Sequence, residues 1–166
     1  MNNDKKLRFI HITKCAGTSI ESLINTWGRH DKVLKESLSK TFPSNVEWWH
    51  VPPKWAGISE INKLKLNHDF FVVVRNPYSR IISEYYCQWG GPKIKANTEH
   101  EFNTYITEKL EEVLELHNMG ERIHGHWCPQ SLYVENDEQK LLLPYENILK
   151  FENLNNDFDA LIGRYS

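Results

Sequence analysis

Residues 69–77 read DFFVVVRNP and carry the clearest fold signal in this chain of 166 residues. The aromatic and β-branched run over 70–74 is typical of a strand covered on both faces, and such strands are characteristic of parallel sheets. Asn76 and Pro77 follow the run as a helix N-cap and a first helical residue, so the sequence predicts a helix over 78–88.

A second strand, turn and helix lie near the N-terminus, where residues 9–21 read FIHITKCAGTSIE. The hydrophobic pattern predicts a strand over 7–12 and a helix over 17–27, joined by a turn of small residues. Two such units favour an α/β fold. We expect a P-loop-like, three-layer arrangement in which a central, mostly parallel sheet is flanked by helices.

The rest of the chain supplies shorter elements. Apolar spacing predicts helices over 58–66, 101–116 and 153–162, and two short strands within 132–151 around the ENDEQ turn. Four glutamates, Glu108, Glu111, Glu112 and Glu115, predict a solvated outer face for the helix over 101–116. Because no repeat or linker interrupts the chain, we expect a single domain over 1–166.

Composition limits the function classes. A formal net charge of -2 gives no general attraction to nucleic acid or to an anionic membrane, so any anion site must be local. The three cysteines form no Cys-x-x-Cys motif and favour a reducing compartment. With no apolar stretch of about 20 residues and no signal-peptide core, we expect a cytoplasmic protein without membrane insertion.

The turn over 13–19 is a candidate anion site. A strand that runs through small residues into a helix directs backbone N–H groups and the positive helix end at one place. Lys14 adds a full charge, and Thr18 and Ser19 add hydroxyl donors. The pattern differs from G-x-x-x-x-G-K-[ST], because the lysine precedes the glycine. The alternative is a helix start that uses Gly17 and Thr18 only as turn and cap.

Cys15 raises a second possibility, a catalytic thiolate near a helix N-terminus. A Cys-x5-Arg arrangement would require arginine at position 21, where this chain has Glu21. We therefore expect Cys15 to pack within the turn.

Arg75 stands where the buried strand ends, and ligands of open parallel sheets bind beyond that end of the strands. Its guanidinium can donate two hydrogen bonds to a phosphate. Ser83 follows about two helical turns later. Each residue has an ordinary alternative: a salt bridge for Arg75, and packing within the helix for Ser83.

Together, the segment from Lys14 to Ser19 and the segment RNPYSR with Arg75 and Ser83 resemble the sulfotransferases that use 3′-phosphoadenosine 5′-phosphosulfate (PAPS). The closest resemblance is to the carbohydrate O-sulfotransferase branch. HWCPQSLYV (126–134) and ILKFENLNNDF (148–158) are similar to later segments of that branch. The resemblance implies that the 5′-phosphosulfate is held by Lys14, Cys15, Ala16, Gly17, Thr18 and Ser19, and the 3′-phosphate by Arg75 and Ser83. Thr13 stands where the branch usually has proline, which should alter the stiffness of the loop.

Sulfuryl transfer requires a base for the acceptor hydroxyl and positive charge at the departing oxygen. We expect Lys14 to supply the charge and His50, within WWHVPPKW (48–55), to act as the base. Trp48, Trp49 and Trp55 flank His50 and either stack on a sugar or belong to the core. His124, His126 and Cys128 alternate as metal ligands do. We expect no metal site, because the transfer needs no metal; His126 and Trp127 then shape a pocket or pack.

The sequence therefore predicts a PAPS-dependent O-sulfotransferase that releases 3′-phosphoadenosine 5′-phosphate (PAP), with a carbohydrate hydroxyl as the family-level acceptor. Its alternative is a degenerate module that binds PAP or PAPS without catalysis. A P-loop kinase or nucleotide hydrolase is disfavoured, because no lysine follows Gly17 and Asp69 precedes its strand. Related domains continue further than Ser166, so the resemblance implies a compact form or a missing C-terminal part.

Overall fold

The computed structural model describes residues 5–39, 47–56, 58–135 and 140–165. At its centre lies a sheet of three strands, β1 (Lys6–Ile10), β2 (His68–Val74) and β3 (Ile148–Lys150), in the order β1-β2-β3. Both pairings are parallel: Phe9 aligns with Phe71, and Val72 aligns with Ile148. The predicted parallel sheet is confirmed.

Helices flank the sheet, which confirms the predicted α/β class. The helices of the described residues are α1 (Gly17–Leu23), α2 (Lys32–Ser39), α3 (Ile58–Asn67), α4 (Pro77–Tyr85), α5 (Glu99–Asn118), α6 (Ser131–Val134) and α7 (Leu154–Tyr165). Short three-ten turns cover Gly28–His30, Trp48–His50, Pro53–Ala56, Tyr145–Asn147 and Phe151–Asn153. Among the described residues, no helix has both the length and the apolar character needed to cross a bilayer.

The central strand explains why residues 70–74 dominate the sequence pattern. Phe71, Val72 and Val73 are fully buried, and Phe70 is almost so. A strand that has hydrogen-bonded neighbours on both edges and covered faces must be apolar throughout. The β2 strand therefore anchors the core, and its carboxyl end places Arg75 at the rim of the sheet.

The chain divides into two compact units, Met1–Arg75 together with Pro129–Ser166, and Asn76–Cys128. The first unit contains the whole sheet. The second contains α4 and α5, where the buried Tyr85 ring meets Phe102 edge to face at 4.6 Å between centroids. On α5 the four glutamates face solvent, as predicted.

The helix boundaries follow local caps. Asn76 Oδ1 accepts hydrogen bonds from the N–H groups of Tyr78 and Ser79, which confirms the predicted N-cap. A capping box between Thr98 and Glu101 starts α5 two residues earlier than predicted. It satisfies the first free N–H groups of that helix.

Predictions about three elements were wrong. The α4 helix ends at Tyr85 rather than at residue 88. The α1 helix ends at Leu23 rather than at Trp27, because Ile24 is extended (φ -131°) and the chain must turn to bury Trp27 against Phe71, 5.0 Å away between ring centroids. The segment Leu132–Val134 is helical, not a strand. Consecutive buried apolar residues occur in both kinds of element, so periodicity cannot distinguish them.

The second predicted strand of this region exists as β3, but it pairs in parallel with β2 rather than forming a hairpin. A single antiparallel bridge joins Glu135 to Leu141. Residues 136–139 of the predicted ENDEQ turn lie outside the described residues.

Candidate functional site

The loop between β1 and α1 has an unusual backbone. Lys14 (φ 61°) and Ala16 (φ 63°) both adopt the left-handed conformation, and Cys15 between them does not. Such conformations cost on the order of 1–3 kcal/mol each in a residue with a side chain and cluster at ligand sites. Alternation in the sign of φ along successive residues is characteristic of the backbone nests whose N–H groups bind an anion.

Side chains of the loop alternate between anchors and accessible groups. Cys15 is fully buried and Thr13 is 2% exposed, so both hold the loop against the core. Cys15 thus packs within the turn, as the sequence predicts. Lys14 is half-buried, while Thr18 and Ser19 at the start of α1 are exposed. The loop therefore presents its polar groups outward from a fixed base.

Lys14 supplies a positive charge that the described part of the chain does not neutralise, since no acidic side chain there lies within ion-pair distance of its ammonium group. The guanidinium of Arg75 contacts the backbone of the same loop. Its Nη1 donates a hydrogen bond to the Lys14 carbonyl oxygen at 3.2 Å, and its guanidinium lies 4.3 Å from the centre of the Phe151 ring. The structure thus brings together the predicted residues Lys14 and Arg75.

The backbone of Arg75 is held by a residue that sequence reasoning missed. Gln130 Oε1 accepts from the Arg75 N–H at 2.8 Å, and Gln130 Nε2 donates to the Arg75 carbonyl oxygen at 2.8 Å. Gln130 lies in HWCPQSLYV, one of the segments that carry the family resemblance. Nothing in that segment singled out the glutamine, because its partners are 55 residues away in sequence.

Ser83 belongs to α4, in the second compact unit, where it is half-buried. Its assignment to the 3′-phosphate stays a prediction from the resemblance.

His50, the predicted base, lies at the end of the three-ten turn Trp48–His50. Its Nδ1 lies 2.8 Å from Glu47 Oε2, and its carbonyl oxygen accepts a 2.6 Å hydrogen bond from the Tyr133 hydroxyl. The His50 ring meets the His11 ring edge-on, with 5.2 Å between centroids. The backbone and the side chain of His50 are therefore both fixed within the first unit.

His11 connects His50 to the loop. The imidazole of His11 packs directly on Gly17, in the space that a Cβ atom at position 17 would occupy. One ring therefore separates the predicted base from the first residue of α1. Gly17 is required here for this close approach of a side chain to the backbone.

A buried carboxylate fixes the orientation of His11. Glu21, 3% exposed, accepts 2.8 Å hydrogen bonds from His11 Nδ1 and from the Arg29 N–H. Arg29 Nε lies 3.0 Å from the other oxygen of Glu21. Burial by itself would raise the pKa of Glu21, but the hydrogen bonds and the nearby positive charge outweigh burial and lower it. Glu21 is therefore ionised near neutral pH and holds His11 in place.

The tryptophans next to His50 belong mainly to the core. Trp48 is buried, while Trp49 and Trp55 are half-buried. The cavity that Trp48 and Trp49 line together with His11 encloses only about 20 Å³, enough for one water molecule and too small for a sugar ring.

The three alternating residues near position 126 differ in exposure, although the rings of His124 and His126 stack with 5.4 Å between centroids. His124 is exposed, whereas His126 and Cys128 are buried. His126 Nδ1 instead lies 2.8 Å from Glu84 Oε1 on α4, and Trp127 Nε1 donates to the Gly90 carbonyl oxygen. His126 and Trp127 therefore pack within the second unit, one of the two roles that the sequence left open.

Comparison with known families identifies the chain. A family model described as "Sulfotransferase family" matches residues 1–165. The chain belongs to the sulfotransferase family. Membership means transfer of sulfuryl groups and implies a hydroxyl acceptor. Of the resemblance in the two loops, it confirms the sulfotransferase family. A search of curated proteins and a search of solved structures found no match to this sulfotransferase.

Proposed function

We propose that this sulfotransferase is a single domain over 1–166 that transfers the sulfuryl group of PAPS to an acceptor hydroxyl and releases PAP. The contact between Arg75 and the Lys14 carbonyl carries this proposal. It brings the Arg75 guanidinium against the loop that contains Lys14, in a chain whose family transfers sulfuryl groups.

The residues present fit the cofactor. PAPS is polyanionic, and the loop offers an anion nest and a lysine that no described carboxylate neutralises. In this proposal the loop, residues 14–19, holds the 5′-phosphosulfate, and Arg75 with Ser83 holds the 3′-phosphate. When bound, PAPS supplies the activated sulfuryl group and a stable leaving group.

Lys14 would stabilise the charge that develops on the departing oxygen. A fixed cation is most effective where water is excluded and where the group needs no reorganisation during the reaction. The left-handed backbone at Lys14 and the contact from Arg75 to its carbonyl oxygen restrict the path of the main chain there. The backbone strain is therefore consistent with a preorganised charge.

His50 would accept the proton of the acceptor hydroxyl. Glu47 Oε2 lies 2.8 Å from Nδ1, and its negative charge favours a positive charge on the ring, so Nε2 would be the nitrogen that accepts the proton. The same carboxylate stabilises the imidazolium that forms after proton transfer. The contact with His11, which packs on Gly17, supports a position for His50 near the loop.

The acceptor class rests on the resemblance to the carbohydrate branch, and we propose a sugar hydroxyl. We place the reaction in the cytoplasm, because three free cysteines are typical of a reducing compartment. The chemistry needs no metal, since Lys14 and Arg75 supply the positive charge.

Calorimetric titration with PAP, alongside ATP with Mg²⁺, tests the cofactor. Wild type should bind PAP in the micromolar range, and Lys14→Ala and Arg75→Ala should each weaken binding at least tenfold. Lys32→Ala, which removes an exposed lysine of the same unit, is the matched control and should bind as wild type. A folded wild type that binds ATP with Mg²⁺ but not PAP would overturn the proposal.

A transfer assay with labelled PAPS and a panel of glycans then tests catalysis. His50→Ala should retain PAP binding and lose on the order of 10²- to 10⁴-fold in kcat, as expected for removal of a general base. PAP binding without transfer to any glycan or other hydroxyl compound would indicate the non-catalytic module instead.

A further inference from the structure

The side-chain amide of Gln130, just before α6, makes the two hydrogen bonds to Arg75 that the backbone of a neighbouring strand would make. Its oxygen accepts from the Arg75 N–H and its nitrogen donates to the Arg75 carbonyl oxygen, each at 2.8 Å. Strand β2 ends at Val74, so this pair of bonds extends the regular hydrogen bonding of the strand by one residue. The direction in which the Arg75 side chain leaves the sheet is thereby fixed.

The same Gln130 oxygen also reaches the first loop. Cys15 Sγ, fully buried, donates to Gln130 Oε1 at 3.3 Å. Arg75 Nη1 in turn donates a hydrogen bond to the carbonyl oxygen of Lys14, the residue before Cys15. Lys14, Cys15, Gln130 and Arg75 therefore form a closed ring of covalent and hydrogen bonds, and Gln130 is its one member from the C-terminal part of the chain.

We propose that Gln130 is a positioning residue for the anionic cofactor, which acts by holding Arg75 and the loop at residues 14–16 in a fixed relation. This inference rests on the proposed function. Gln130 itself needs no contact with the ligand.

The physical reason is preorganisation. A bidentate guanidinium contact depends on direction as well as distance, and a displacement of about 1 Å at a binding group can cost about 10²-fold in rate. Without Gln130, the N–H and carbonyl groups of Arg75 lose these two hydrogen bonds immediately before the turn into α4. The Arg75 side chain would then sample several directions, and Cys15 in the loop would lose its hydrogen bond to Gln130.

Two variants separate the contributions of the amide. Gln130→Leu has a similar size and removes all three hydrogen bonds. Gln130→Glu retains an acceptor for Arg75 and Cys15, but it loses the donor and adds a negative charge beside the anion site. Gln88→Leu, an exposed glutamine of the second unit, is the matched control.

Calorimetry with PAP is the first readout. The Kd of Gln130→Leu should rise at least tenfold and that of Gln130→Glu further, while Gln88→Leu should bind as wild type. In transfer assays Gln130→Leu should raise the KM for PAPS more than it lowers kcat. A general loss of folded protein would lower kcat without this separation.

Amide hydrogen exchange in the ligand-free protein is the second readout. In Gln130→Leu the Arg75 amide should exchange at least tenfold faster than in wild type, and amides of the loop should follow. Val72, inside the same strand, should keep its protection, which excludes global destabilisation as the cause.

The outcomes separate the two proposals. If wild type binds PAP and Gln130→Leu binds it equally well, the positioning role is wrong and the proposed function stands. Unchanged exchange at Arg75 would also overturn the positioning role. If wild type does not bind PAP, the proposed function fails, and the positioning role for a cofactor fails with it.

Discussion

Gly17→Ala should destabilise the protein, although alanine normally strengthens a helix. Gly17 is the first residue of α1, and a methyl group there would overlap the Nε2, Cδ2 and Cε1 atoms of the His11 ring. The ring cannot swing away without loss, because Glu21 accepts from its Nδ1 at 2.8 Å and Phe9 stacks against it at 5.8 Å.

The size of the effect follows from three contributions. Forcing a methyl group into a packed site costs about 1–3 kcal/mol. Displacing His11 weakens a hydrogen bond to a charged group, worth about 1.5–3 kcal/mol if it is lost entirely. Alanine recovers about 0.5–1 kcal/mol through its lower unfolded-state entropy. We expect a net loss of about 2 kcal/mol in the free energy of unfolding.

Urea unfolding of a double-mutant cycle measures this effect. Gly17→Ala, His11→Ala and the double variant are compared with wild type, and the double variant should be more stable than the sum of the single losses by at least about 1 kcal/mol. The reason is that removal of the ring removes the overlap.

Gly163→Ala is the control, because no atom lies within 4 Å of a Cβ atom at this position of α7. It should raise stability by about 0.5–1 kcal/mol. The reasoning is refuted if Gly17→Ala behaves like Gly163→Ala, or if the two changes in the double variant are additive.

Three further predictions concern the same region. Glu21→Gln should lower the free energy of unfolding at pH 7 by about 2 kcal/mol, because a neutral amide accepts more weakly from His11 and Arg29. Since folding lowers the pKa of Glu21 below 4.5, this contribution to stability is present above pH 4.5 and is lost as the pH falls through the lower pKa of the folded state. In urea titrations over that acid range, the stability difference between Glu21→Gln and wild type should shrink, and a constant difference would contradict the ionised pair. Glu111→Gln, at an exposed position, is the control. Ala16→Gly should raise the melting temperature and increase the free energy of unfolding by up to about 1 kcal/mol, because glycine adopts φ 63° without strain. A lower melting temperature would argue against a strained loop. Glu47→Gln should reduce kcat and leave the Kd for PAP unchanged, because Glu47 lies at Nδ1 of the proposed base; equal activity would remove Glu47 from the mechanism.

The fold class could be predicted because its signals are local. The apolar run of β2 and the Asn76-Pro77 cap depend on residues adjacent in sequence, and both are found in the structure. The end of α1 and the helical state of Leu132–Val134 could not be predicted in the same way. Both depend on which residues, distant in sequence, pack against a given side chain, and the hydrophobic pattern does not identify those residues.

In the candidate site too, residues that are recognisable from their own chemistry could be predicted, and residues defined by distant partners could not. Lys14, Arg75 and His50 could be proposed from residue type and from the family resemblance, since a cation, a forked donor and an imidazole each have a characteristic chemistry. Gln130 and the pair of His11 with Glu21 were missed, because a glutamine or a glutamate has many ordinary roles until its partner is known.

The sequence by itself determined the parallel α/β architecture, the sulfotransferase resemblance and the charged residues of the loops. Only the tertiary structure decided that Arg75 contacts the Lys14 carbonyl oxygen, that His50 contacts His11 beside the loop, and that Gln130 hydrogen-bonds to both Arg75 and Cys15. The physical reason is that chemistry belongs to single side chains, whereas orientation comes from hydrogen bonds between residues far apart in the chain.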